Sequence, residues 1–63
     1  MTTERFFVTE HGELKKLNVP TRELKNYKYI IEIFGYNHEY HARKIKTTIE
    51  SSSLVVRLIR IEI

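Results

Sequence analysis

The string His38-Glu39-Tyr40-His41 concentrates the side chains best suited to chemistry. Two histidines three apart on a helix can share a metal ion, and His11 is a candidate third ligand. The spacing is not His-Glu-x-x-His, in which i, i+4 placement sets both imidazoles on one side. His38 and His41 diverge by about 60° around a helix. The leading reading is a half-buried pair at a helix edge, with no metal and no cofactor. Glu10, Glu13, Glu23 and Glu39 show no paired-carboxylate logic. Ser51-Ser52-Ser53 lacks a glycine elbow and a base with a defined partner. Gly12 and Gly35 are isolated, so no phosphate-cradling loop is present. No enzyme is expected.

A second constellation suits binding. Tyr40, Arg43 and Lys44 share a helical face through i, i+3 and i+4 spacing. Thr47 lies on the same side and Lys46 at its margin. An exposed ring among cations fits stacking on a base and pairing with phosphate. The bland alternative is a solvated helix face. Arg57 and Arg60 interrupt an apolar run; cross-strand pairing of one of them with Glu32 is the structural reading, and phosphate contact the other. Lys15, Lys16, Arg22 and Lys25 read as solvated loop cations. The net charge is +3, and Lys and Arg outnumber Glu in both halves, six to four over 1–31 and five to four over 32–63. Such mild basicity shifts the expectation modestly toward an anionic partner.

These side chains must be positioned by a small frame. The 63 residues contain no cysteine, so neither a disulfide nor a cysteine zinc site can staple the fold. A single domain is expected, with residues 1–4 frayed. No apolar run approaches the roughly 20 residues that span a bilayer, and the N-terminus lacks the regions of a signal peptide. The expected location is the cytoplasm, with no membrane partner.

Arg5–Glu10 is β-prone, His11-Gly12 is a turn signal, and Leu14, Leu17 and Val19 follow, so a hairpin is expected. Pro20 ends it or keeps it on an edge. Thr21 could cap one helical turn that Asn26 ends. Lys28–Tyr36 is the clearest strand. Asn37 reads as an N-cap, and Glu39 suits the first turn of a helix. His38, Ala42, Ile45 and Ile49 then fall on one side. The serines end the helix, and Leu54–Ile63 reads as a last strand. The expected fold is α+β: an antiparallel or mixed sheet of three to four strands with one amphipathic helix on one face, in the order ββ-β-α-β. One helix covers one sheet face. Ile30, Phe34, Tyr36, Leu54, Val56 and Leu58 are therefore expected to form a second apolar face that needs a partner.

Glu32-Ile33, Asn37-His38-Glu39-Tyr40-His41-Ala42-Arg43, Ser51-Ser52-Ser53, Arg57 and Ile59-Arg60-Ile61-Glu62 resemble, over residues 28–63, the archaeal ribosomal protein family LX. That family is related to the eukaryotic protein L-eighteen-a. The family usually has a basic cluster between helix and last strand, where this chain has Ser52-Ser53-Leu54-Val55-Val56. The shape also looks like phycobilisome linker domains and some phage-encoded inhibitors. The resemblance implies a non-catalytic accessory protein on a ribonucleoprotein, foremost a ribosome, with Tyr40, Arg43, Lys44 and Lys46 on structured RNA. The alternative is a protein-binding module without nucleic acid, a linker or phage-type inhibitor, working through the apolar sheet face. A homodimer through that face fits either.

Overall fold

The computed structural model describes all residues from Met1 to Ile63. Four strands, Thr2–Thr9 (β1), Leu14–Lys16 (β2), Tyr27–Gly35 (β3) and Leu58–Glu62 (β4), form one sheet in the order β2-β1-β3-β4. The helix His38–Ser52 (α1) joins β3 to β4. β1 is antiparallel to β2 and β3, while β4 is parallel to β3. The fold is the expected α+β arrangement with a mixed sheet.

Strand alternation sets the core. Tyr29, Ile31 and Ile33 of β3 pack with Phe6 and Val8 of β1 against Ala42 and Ile49 of α1. Ile45, expected with them, lies at the margin and is half-buried. Ile59, Ile61 and Ile63 also pack on this cluster without being fully buried, because α1 lies mainly over β3 and β1.

β2 and β3 are both antiparallel to β1, so they are parallel to each other. Joining them requires a crossover along one face of the sheet. The helix occupies one face, so residues 17–26 take the other. Leu17 and Ile30 are consequently buried, although Ile30 points away from the helix. Within this crossover Thr21–Glu23 forms a single 3-10 turn after Pro20, without a side-chain cap from Thr21. Asn26 then turns the chain into β3 with φ 57°.

Three expectations need correction. Thr2–Glu4 are not frayed; they pair with Gly35, Phe34 and Ile33 of β3. Asn37 precedes α1 in the left-handed region (φ 47°, ψ 49°), and its side chain makes no cap hydrogen bond. Asn tolerates this backbone better than most residues, and the Asn37 carbonyl accepts from the His41 amide at 3.0 Å. Leu54–Val56 are not strand. Ser53 closes the helix in the left-handed region (φ 53°), and the Leu54 amide donates to the Ile49 carbonyl at 3.3 Å. This is the hydrogen-bond pattern of a Schellman closure, with serine where glycine is usual. The chain then needs residues 54–57 to return to the sheet, and β4 begins only at Leu58.

Gly35 ends β3 with φ +144°, and a Cβ there would lie 2.7 Å from Ile63 Cβ. The close approach exists because the Ile63 amide donates to the Phe34 carbonyl at 2.8 Å. Gly35→Ala is expected to cost about 2–4 kcal/mol through backbone strain and overpacking. Gly12→Ala, at φ +86° with open space around it, is expected to cost less. Urea unfolding of both variants checks the order, and equal losses would remove the Ile63 contact from the explanation.

Candidate interaction surfaces

The outward face of α1 brings together three of the four residues expected to meet RNA. Tyr40, Arg43 and Lys44 line a shallow hollow of about 350 Å³ with Thr47 and Thr48. Tyr40 is 57% exposed. Lys44 Nζ lies 5.3 Å from the centre of its ring, a cation–π contact. Arg43 Nη2 is 3.3 Å from Glu39 Oε1 one turn back. The Thr47 and Thr48 hydroxyls donate to the carbonyls of Arg43 and Lys44 at 3.1 and 3.0 Å, so both are occupied along the helix. Lys46 does not line this hollow but an adjoining one, with Gly12, Glu13 and Leu14 of the β1–β2 hairpin, and Arg43 and Thr47 line both. The Lys46 ammonium is 3.0 Å from Glu50 Oε2. Arg43 and Lys46 are thus each paired with a carboxylate, and Lys44 leans on a ring. The field available to a phosphate is smaller than the residue types suggest.

The expected apolar face is divided. Ile30, Phe34 and Leu58 project from the side away from α1, as β-alternation requires. Ile30 is covered, Phe34 is half-buried and Leu58 is 56% exposed. Tyr36, Leu54 and Val56 do not belong with them. The left-handed turn of Gly35 breaks the alternation, and Tyr36 packs edge-on against His41 of α1 at 5.8 Å between ring centres. Val56 packs against the core under the helix. Leu54 borders a cleft at the helix end with Tyr29, Ile49 and Val55, whose side chain is 99% exposed.

The side of the sheet away from α1 carries its own cleft of about 380 Å³. Arg5, Thr21, Tyr27, Ile30, Glu32, Arg57 and Leu58 line it. Glu32 takes Arg5 as its partner, with Nε donating to Oε2 at 2.6 Å. The two residues face each other across β1 and β3. Arg60 is the register neighbour of Glu32 on β4, yet it leans toward Glu62, 4.0 Å away. Arg57 has no carboxylate partner, so the cleft has an apolar floor and a net positive rim.

The histidines diverge. His38, with 15% of its side chain exposed, donates from Nε2 to the Thr2 carbonyl at 2.9 Å, and its Nδ1 is 3.2 Å from Glu4 Oε2. Both acceptors are satisfied at once only when the ring carries both protons. His41 instead meets Tyr36 and Tyr40 edge-on. His11 lies beside Glu10 at 3.7 Å in the hairpin turn. No group of three or more His, Cys, Asp or Glu residues is arranged to hold a metal ion. No helix is long and apolar enough to cross a membrane.

Sequence reasoning missed the Lys16–Glu4–His38 chain, which ties β2, β1 and α1 together; Lys16 Nζ is 2.8 Å from Glu4 Oε1. The hydrogen bond from Lys16 holds the Glu4 carboxyl below its ordinary value of 4.5; partial burial opposes this, and the charges of Lys16 and His38 add to it. Its folded value is depressed, so its contribution is present above pH 4.5 and lost as pH falls through the lowered value. Only strand pairing brings these residues together, and that pairing is not written in a local pattern.

No family model matches the chain, and no curated protein or solved structure matches it.

The Tyr29 hydroxyl is buried without a hydrogen-bond partner. Burial, and then the charge of Glu50, push the phenol above its ordinary value of 10.0. The neutral form is favoured in the fold. The stability linked to it is full below pH 10.0 and is lost as pH rises through the raised value. Tyr29→Phe removes an unsatisfied group and is expected to hold or raise stability by up to about 1 kcal/mol. In an alkaline titration followed by phenolate absorbance, wild type minus Tyr29→Phe should leave a transition above pH 10.0. A difference midpoint at or below that value, or a marked loss of stability, would contradict this environment.

Proposed function

We propose that the chain is a small, non-catalytic binding module that docks on a protein through the sheet face opposite α1. The observation that carries this reading is the cleft floored by Ile30 and Leu58 and rimmed by Arg5, Tyr27 and Arg57. Leu58 is open to a partner, and Arg57 is a cation without a carboxylate of its own. An apolar centre with a polar, charged rim is the pattern of a protein-binding patch. Its complement is a protein segment that presents an apolar side chain beside a carboxylate. On this reading the chain would act as a linker or a phage-type inhibitor.

A second reading is an accessory role on a ribonucleoprotein, foremost a ribosome. The hollow of Tyr40, Arg43 and Lys44 supports it, as does the resemblance of residues 28–63 to the LX family. It ranks second because Glu39 already engages Arg43 and Glu50 engages Lys46. Two phosphate contacts would give a salt slope of about −1.5 to −2, too weak to hold the chain on RNA unaided.

Photo-crosslinking separates the two. A crosslinker at position 58 is expected to yield a protein adduct that survives nuclease and persists in Arg43→Glu with Lys44→Glu. A crosslinker at position 44 is expected to yield none. RNA adducts from position 44, abolished by the double reversal, with no adduct from position 58, would transfer the function to the second reading.

A further inference from the structure

β4 is an edge strand with only one neighbour, β3. In that parallel pairing the Ile30 amide donates to the Arg57 carbonyl at 3.0 Å and the Ile63 amide to the Phe34 carbonyl at 2.8 Å. The odd-numbered positions therefore face β3. By alternation the amides and carbonyls of Leu58, Arg60 and Glu62 face outward, with no strand to receive them. An open edge of this kind is a template for another strand.

The side chains say which strand fits. Arg60 and Glu62 project from the same face, are mostly exposed (59% and 70%), and meet only at 4.0 Å. We infer that β4 pairs antiparallel with β4 of a second copy about a two-fold axis at Ile61, which joins two four-stranded sheets into one. In this register Arg60 lies opposite Glu62 of the second copy, and Glu62 opposite its Arg60. Both positions carry outward backbone groups, so each pair also exchanges two backbone hydrogen bonds. Opposite charges directly across a ladder stabilise it. On the helix side Ile61 meets its own counterpart and Ile59 meets Ile63. These isoleucines are half-buried in the single chain because α1 lies over β3 and β1. The same residues thus supply hydrogen bonds, ion pairs and apolar contact, and each strand is its own complement, as a two-fold interface demands.

A register centred on Arg60 offers two more backbone bonds, yet it sets the two arginines directly opposite each other, which destabilises the pair. The interface is short, below the size of a permanent dimer, so association depends on concentration. It leaves the Leu58 cleft outside the pairing and does not rest on the protein-docking role proposed for it.

Sedimentation equilibrium of the full chain up to about 1 mM, the weak end of measurable affinity, tests the inference. Wild type is expected to form a monomer–dimer equilibrium. Arg60→Glu sets Glu opposite Glu, and Glu62→Arg sets Arg opposite Arg. Each alone is expected to weaken association about tenfold or more, the size of several lost pairs. An equimolar mixture of the two variants is expected to restore it as a heterodimer, which also shows that both are folded. A wild type that stays monomeric overturns the inference. So does a Glu62→Arg variant that dimerises like wild type, because only the Arg60-centred register leaves its central pair unchanged. A mixture that fails to associate overturns it as well.

Discussion

One helix has to serve a four-stranded sheet, and the rest of the structure follows from that shortage. The helix can bury the inner face of two strands, and it takes β3 and β1, whose Ile31, Ile33 and Val8 are fully buried. With no disulfide to help, most of the stability must come from this one contact layer. Everything outside its footprint is left half-covered. The β2-to-β3 crossover covers Ile30 on the far face but stops short of Leu58. β4 keeps its isoleucines against the core margin while its outer edge stays open. The surfaces open to partners are the places this single layer does not reach.

Much of this was legible in the sequence because the local signals were strong. The β-branched and aromatic density of β3, and the spacing of Ala42 and Ile49, need no tertiary information to be read. The failures have physical causes. Leu54-Val55-Val56 reads as strand because valine and leucine favour extended backbone, yet that tendency does not reveal that the helix closes through Ser53 and must travel back to the sheet. Thr2–Glu4 look frayed because they are polar; their order comes from pairing with β3 and from His38, some 36 residues away in the chain. Asn37 reads as a side-chain cap because of its residue type, whereas its backbone conformation is what the turn uses. Glu32 reads as a partner for Arg57 or Arg60, yet Arg5 takes it because β1 faces β3 at that register.

The candidate surfaces follow the same division. Residue types alone made the outer face of α1 a basic patch. The structure brings Tyr40, Arg43 and Lys44 together but sets carboxylates beside Arg43 and Lys46, and it carries Lys46 toward the hairpin. The apolar set is divided by the turn at Gly35 and by the helix closure, which leaves Leu58 exposed on the side away from α1 and Tyr36 and Leu54 exposed elsewhere. The exposed surfaces include the Leu58–Arg57 cleft and the outer edge of β4, beside Leu54 and Val55 at the helix end.

The central claim, that a single contact layer leaves β4 open on its outer side, is tested most directly by amide hydrogen exchange in dilute solution, residue by residue. Ile31 and Ile33 should exchange slowest, since both their strand neighbours and the helix protect them. The amides of Arg60 and Glu62 should exchange near the rate of an unprotected chain, while the inward amide of Ile61 is slower than either. Protection of Arg60 and Glu62 equal to that of Ile31 in the dilute chain would contradict the account, because the edge would then already be covered from within.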